Sequence, residues 1–448
     1  MPTAPERGTP SVENIRDVSQ KLLKKRPCLW QVRVAQHLAR GKDVVCCVRT
    51  GAGKTLSFWL HLALSISQGL KKISLVVTPL NLLGKQNALD LTSYGIPAIA
   101  ISKENASAEV FQAIGNGQYR AVIINPELLT DSDGEMSQLF GKSSFTSKLL
   151  NVIFDEGHCV STWAGFRGAY GRVGMLRYML PDIPFYVASA TLPSTILADV
   201  LETLNMQRHR TEFIQHSNDR PDIYIKVQEM MSGVQTFKDL ALCVPDGYTE
   251  ASGPLDKFVA FFDKIVDTEG AVRYLRSRLP NHLAKKIRWF HATMTNEFRD
   301  EHLESFRSGE TWGLCVTDAF GMGMDLPDIK LVIQYKATCD LCTLWQRFGR
   351  GARGLGTDAV AILLVEKKDL ESERQAKAER AVKRAKAKEA GKVAKRKRND
   401  NAPATPAKRV ALADLTPSFP RNLPAPPIPL RLAELGSPRA DTIYIKRL

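Results

Sequence analysis

No stretch of the sequence approaches the ~18 consecutive apolar residues of a membrane-spanning helix, which excludes a helical membrane protein. The opening segment, MPTAPERGTPSVENIR, is polar and carries acids, and it does not read as a secretory leader. Cysteine is sparse: eight residues, irregularly spaced and absent after Cys342, which excludes a disulfide scaffold. Cys46 and Cys47 lie inside the apolar run DVVCCV and read as buried thiols of a reducing compartment. Cys339 and Cys342 form a lone C-x-x-C pair. Neither a second pair nor a nearby His completes a tetrahedral site, so no zinc is expected. No repeat at solenoid period is visible. An apolar content of 44% excludes a wholly disordered or fibrous chain, and 448 residues suggest two or three domains.

What is present in excess is basic charge, a net +15 that is unevenly placed. Residues 367–448 hold 21 Lys and Arg against nine acids, a net +12, so residues 1–366 stand near +3. Such a surplus points to an anionic partner such as nucleic acid, but here it marks the tail. Residues 367–398 are Ala, Lys, Arg and Glu with no apolar face and read as a solvent-exposed helix. Residues 400–440 are Pro-rich and read as disordered. Lys395-Arg396-Lys397-Arg398 and Lys408-Arg409 flank a Pro/Ala spacer and resemble a bipartite nuclear localisation signal, with import factors as partners. A flexible nucleic-acid tether acting through counterion release and a merely solvated charge run are the other readings.

Short apolar runs alternate with amphipathic stretches. The first set is DVVCCV (43–48), ISLVVTP (73–79), AVIIN (121–125), NVIFDE (151–156) and FYVASAT (185–191). The second is KFVAFF (257–262), IRWFHA (287–292), GLCVTD (313–318), LVIQYK (331–336) and AVAILLVE (359–366). This alternation predicts an α/β fold of βαβ units on mostly parallel sheets, in two units of similar size. The expected division is a flexible N-terminus at 1–20, domains at 21–208 and 209–366, and a basic tail at 367–448, with the junction in the polar stretch around 205–225.

Three motifs carry chemistry. Thr50-Gly51-Ala52-Gly53-Lys54-Thr55 follows a strand and precedes a helix, the setting of a phosphate-binding loop. Its backbone N–H groups and the helix N-terminus suit phosphate oxygens. Lys54 suits the β- and γ-phosphates, and Thr55 suits Mg²⁺. The strict pattern has another glycine where this chain has Val48. Asp155-Glu156-Gly157-His158 follows the strand NVIF. There one carboxylate can hold Mg²⁺ while the next orients and deprotonates an attacking water. In Gln346-Arg347-Phe348-Gly349-Arg350-Gly351-Ala352-Arg353-Gly354, the forked guanidinium groups suit phosphate, one of them as an arginine finger.

Over roughly 20–366 the chain resembles the superfamily-2 helicases, and within them the RecQ family. Gln31 in RPCLWQ is similar to the adenine-reading glutamine, TGAGKT to motif I, VVTPLNLLGKQ (76–86) to motif Ia and NPELL (125–129) to motif Ib. DEGHCVSTW (155–163) resembles motif II, followed by AGFRGAY (164–170) where the family carries an aromatic-rich loop. SAT (189–191), RPDI (220–223), FHATM (290–294), TDAFGMGMDLPDI (317–329) and QRFGRGARG (346–354) follow in the family's order.

The resemblance implies two RecA-like domains with ATP and Mg²⁺ between them. Gln31, Thr50, Gly51, Ala52, Gly53, Lys54, Thr55 and Asp325 would hold the nucleotide, with Thr55 and Asp155 on the metal. Lys54, Asp155, Glu156, Gln346, Arg350 and Arg353 would carry catalysis. His158, Ser189, Ala190 and Thr191 would couple ATP to the strand. Thr78, Pro79, Asn125, Trp163, Phe166, Arg167 and Thr317 would meet nucleic acid. The implied activity is 3′-to-5′ movement on single-stranded and partly duplex DNA, unwinding it in nuclear repair and recombination. The chain departs from the family pattern at Gly157, Gly351-Ala352 and Gln334, and its cysteines end before any zinc module. A DEAD/DEAH-type RNA helicase and an ATP-switched binding or annealing protein are the competing expectations.

Overall fold

The computed structural model describes residues 8–370 apart from 80, 321–325, 327 and 355, with short pieces at 372–380 and the pair 443–444. Asp325 and the basic clusters at 395–409 lie outside the described residues.

The first sheet holds β1 (Asp43–Cys47), β2 (Ile73–Val77), β3 (Ala98–Ile101), β4 (Ala121–Ile124), β5 (Leu149–Asp155), β6 (Phe185–Ser189) and β7 (Thr211–Gln215). Their spatial order is β3-β4-β2-β5-β6-β1-β7, every pairing parallel. A parallel sheet is covered by helices on both faces, so its strands read as unbroken apolar runs rather than as alternation. β1, β2, β4 and β6 are accordingly buried along their whole length. Successive side chains still point to opposite faces. Val45, Leu75, Val77 and Phe154 enter one core, while Val44, Cys46, Val76 and Ile153 enter the other.

The second sheet holds β8 (Ile223–Glu229), β9 (Phe258–Phe261), β10 (Ile287–Phe290), β11 (Gly313–Val316), β12 (Leu331–Tyr335), β13 (Ala359–Val365) and β14 (Ile443–Tyr444), in the order β10-β11-β9-β12-β13-β8-β14. β14 alone is antiparallel, with Ile443 opposite Val227 and Tyr444 opposite Lys226. A two-residue piece of the expected tail is thus part of the second sheet.

Thr211–Gln215 pairs with β1 from Asp43↔Thr211 to Cys47↔Gln215, so it closes the first sheet, and the chain crosses to the second through 216–222. This edge strand has one covered side and polar residues around it, which hides it among loop-like residues. In parallel sheets, ligands lie outside the carboxyl ends of the strands. β5, β6 and β1 are adjacent, so the loops at 156–158, 190–193 and 48–53 converge on one edge, with those after β2 and β4 beside them.

Candidate nucleotide site and nucleic-acid face

β1 runs into the loop 48–53, where Gly51 and Gly53 adopt φ of 74° and 82°, a region that costs glycine little. Gly53 caps the helix Lys54–Ser67. The buried Gln31 clamps this turn: its Oε1 accepts from the Cys28 N–H at 2.8 Å, and its Nε2 donates to the Gly53 carbonyl at 2.8 Å. A Cβ at Gly53 would lie 3.0 Å from that Nε2. Lys54 Nζ donates to the carbonyls of Val48 at 3.2 Å and Arg49 at 3.3 Å. Burial lowers the Lys54 pKa, against the pull of the Glu156 and Asp155 carboxylates.

Both acids stand at the carboxyl end of β5. Asp155 is buried and accepts the Glu156 N–H at 2.9 Å. Burial, then the charge of Glu156, pushes the Asp155 carboxyl well above its ordinary range, with Lys54 opposing. Glu156 adopts φ of 48°, unusual for a residue with a Cβ. Its Oε2 is buried with no hydrogen-bond partner and lies 3.4 Å from His158 Nδ1. Crowded, desolvated carboxylates, together with the hydroxyl residue Thr55 that follows Lys54 at the helix start, are a donor set that fits a Mg²⁺ shared with phosphate oxygens.

His158 begins a network that reaches the other domain. Ser189 Oγ donates to the Thr191 carbonyl at 3.0 Å and accepts the Thr191 N–H at 3.2 Å, so its remaining lone pair accepts from His158 Nδ1–H at 3.0 Å. That assignment leaves His158 Nε2 as an acceptor for Gln346 Nε2 at 3.3 Å, and the same amide reaches Thr191 Oγ1 at 3.3 Å. Burial lowers the His158 pKa, which keeps the ring neutral as this pattern needs. Ala190 is buried between the two hydroxyl residues.

Gln346 lies on the helix Leu341–Phe348, whose Asp340 caps the N-terminus by accepting the Thr343 N–H at 2.9 Å. After Gly349, Arg350 is buried, and Arg353 Nε donates to the Gly349 carbonyl at 3.0 Å. The Arg353 charge contributes to lowering the Lys54 pKa, so a cation of the second domain acts on the phosphate loop of the first.

Beside this site, one side chain links Pro79 and Trp163, two of the expected nucleic-acid residues. Arg167 makes a bidentate pair with Glu127, Nε and Nη2 each at 2.7 Å, and Nη1 donates to the Pro79 carbonyl at 3.1 Å. It also lies over the rings of Trp163 and Tyr170. Arg167 therefore ties the aromatic loop to the turns after β2 and β4. Trp163 packs against the core, whereas Phe166 is 69% exposed. Thr78 is buried with Oγ1 unpartnered, and Asn125 caps its short helix by accepting the Leu128 N–H at 2.9 Å. Thr317 lies across the cleft at the end of β11, its N–H donating to the Phe290 carbonyl at 3.2 Å.

Two family models match: DEAD/DEAH box helicase over 29–200 and helicase conserved C-terminal domain over 250–354. Together they show that the chain carries a superfamily-2 helicase core. Curated relatives are predominantly of RecQ type. They include ATP-dependent DNA helicase hus2/rqh1 of Schizosaccharomyces pombe, 27% identical over 76% of this chain and 25% of that one. ATP-dependent DNA helicase Q1 of Rattus norvegicus is 28% identical over 76% of this chain and 52% of that one. The chain thus spans a quarter to about half the length of these relatives. The fold is shared with a DUF1998 helicase MrfA bound to DNA (TM-score 0.64, 17% identity, 81% of this chain and 49% of that one). It is shared equally with DEAD-box helicase Mss116 bound to single-stranded RNA (TM-score 0.64, 17% identity, 81% and 75%). Fold alone does not choose between the two nucleic acids.

This helicase core explains its own departures from the family pattern. A Cβ at Gly157 would lie 2.3 Å from Val187 Cγ1 in β6. Gly157→Ala should therefore cost about 1–3 kcal/mol by overpacking, read as a lower midpoint of thermal unfolding. Adding Val187→Ala should return part of that loss. Gln334 is buried, accepts from Arg347 Nη1 at 2.5 Å and donates to the Lys336 carbonyl at 3.0 Å, so its amide serves as both acceptor and donor. Sequence reasoning gave no role to Glu127, which holds Arg167, or to Arg220 and Asp222, which hold the loops facing the cleft. The charged pair inside RPDI was the available signal for the last two.

Proposed function

We propose that the chain is the motor of a RecQ-type DNA helicase that couples ATP hydrolysis to 3′-to-5′ movement on single-stranded DNA and to duplex separation. The observation that carries this reading is the hydrogen-bonded reach of Gln346, from the second domain, to His158 Nε2 and Thr191 Oγ1 beside the Asp155–Glu156 turn of the first. In the mechanism, Lys54 binds the β- and γ-phosphates while Gln31 fixes the loop and faces the base. Thr55 and Asp155 would hold Mg²⁺, which supplies charge neutralisation at the phosphate oxygens. Glu156, raised on its left-handed backbone, orients the attacking water and takes its proton. Arg350 and Arg353 offset charge that develops on the γ-phosphate. Loss of that phosphate releases the cleft, and alternate opening and closing advances the domains along a strand. The basic clusters at 395–398 and 408–409 serve nuclear import and loose DNA tethering, and place the protein at chromosomal DNA.

The network from His158 to Gln346 carries the coupling. Gln346→Ala should cut nucleic-acid-stimulated hydrolysis roughly tenfold, within the usual range of coupling energies. The CVSTW and AFGMGMD segments favour DNA over RNA through the RecQ resemblance. Comparing ATPase stimulation by single-stranded DNA and by RNA of equal length tests the choice. Stimulation by RNA alone would replace this reading with that of an RNA helicase.

A further inference from the structure

The chain crosses between the sheets through 216–222, and one side chain in that connector touches both nucleotide-facing loops. Arg220 is 4% exposed. Its Nε donates to Asp222 Oδ1 at 3.0 Å, and its Nη2 donates to Asp222 Oδ2 at 2.8 Å. Nη2 also reaches the carbonyls of Gly351 and Ala352, each at 2.9 Å. Nη1 donates to the Gly349 carbonyl at 3.4 Å and to Thr50 Oγ1, in the phosphate loop of the first domain, at 3.1 Å. Every nitrogen of the guanidinium is thus engaged.

We propose that Arg220 is a positioning residue for hydrolysis. From the hinge it fixes the loop that presents Arg350 and Arg353, and it sets that loop against the phosphate loop. The inference rests on reading the cleft as the ATP site. The carbonyls it gathers follow the C-terminus of the helix Leu341–Phe348, where helix dipoles leave partial negative charge. Buried carbonyls of this kind need donors, and a planar fork supplies several at fixed angles where an ammonium cannot. The loop is also held in an uncommon shape, with Ala352 at φ of 50°. The two loops meet without slack: a Cβ at Gly349 would lie 2.2 Å from Thr50 Oγ1. Asp222 orients the guanidinium and lies 3.6 Å from Arg49 Nη1, a second link to the first domain. An arginine that only stabilised the second domain would have no use for the Thr50 hydroxyl. Because the hinge carries Arg220, any rotation between the domains changes how it meets Thr50 and the 349–352 carbonyls.

Arg220→Ala, Arg220→Lys and Thr50→Val test this in the full chain. Each is measured for thermal unfolding, affinity for a fluorescent ATP analogue, and kcat and KM for ATP with saturating single-stranded DNA. Both Arg220 variants should lose roughly 30- to 100-fold in kcat while KM and nucleotide affinity stay within about threefold, the pattern of a misplaced reacting group. Thr50→Val should lose roughly three- to tenfold in kcat, having lost the cross-domain arm. Retention of kcat within twofold by Arg220→Lys, or wild-type kcat in Thr50→Val, would overturn the proposal. So would a fall in nucleotide affinity matching the fall in kcat. If Arg220→Ala does not fold, the other two variants decide. Absence of ATPase in the wild-type chain would instead remove the ATP-site reading beneath it.

Discussion

Lys54→Ala is expected to abolish nucleic-acid-stimulated ATP hydrolysis, with kcat falling at least ~10²–10³-fold, the scale of losing a preorganised charge at developing negative charge. The ammonium is buried, and its pKa is lowered by that burial while Asp155 and Glu156 oppose the change. Carrying a cation into such a site is costly unless an anion meets it. The phosphates of ATP are that anion in the proposed reaction, and alanine offers nothing in place of the ammonium. Fold should survive, because Lys54 opens a helix and alanine is the strongest helix former. A native thermal transition with no turnover is the expected pair of results. Normal hydrolysis by Lys54→Ala would mean that the phosphate loop is not where ATP reacts.

Arg353→Ala should be nearly as damaging for a different reason. Arg353 comes from the second domain, is held through its Nε by the Gly349 carbonyl, and lies close enough to Lys54 for its charge to be felt there. A residue that reaches the γ-phosphate only when the cleft is closed acts chiefly in the transition state. Its loss should cost roughly 10³-fold in kcat, at the lower end of what arginine fingers contribute, while nucleotide affinity changes only a few-fold. Arg353→Lys should not restore the rate, since an ammonium lacks the fork. Steady-state kinetics alongside nucleotide titration separates the two effects. Equal losses in affinity and in kcat would make Arg353 a ground-state ligand instead.

Much of this architecture was legible because parallel sheets bury their strands completely. The runs at 43–48, 73–79, 121–125, 151–156 and 185–191 all stand on strands, and their order placed a phosphate loop and an acidic turn at strand ends. β3 and β7 were not legible: each is a short edge strand covered on one side, and the polar residues around β7 read as a linker. The cleft's acidic, basic and hydroxyl residues could be proposed from type and spacing. Arg220 could not, because most of what it binds is main-chain carbonyl, which no sequence pattern marks. Arg167 reads as a cation for nucleic acid when taken alone. Its bidentate pair with Glu127, forty residues earlier, appears only once the turns after β4 and β5 lie side by side.

Residues 1–366 carry a net charge near +3, and on the proposed reading the turns tied together by Arg167 would offer shaped backbone and the exposed ring of Phe166 to a strand. On that reading, stacking of one base on the ring would contribute ~1–3 kcal/mol.

Strand displacement from a tailed duplex tests the central claim most directly. With ATP and Mg²⁺, the wild-type chain should release the labelled strand from a 3′-tailed DNA duplex. It should not act on the 5′-tailed counterpart, and Lys54→Ala should release nothing. Robust DNA-stimulated hydrolysis without displacement of either substrate would contradict the claim, and would make the chain an ATP-switched binding protein rather than a helicase motor.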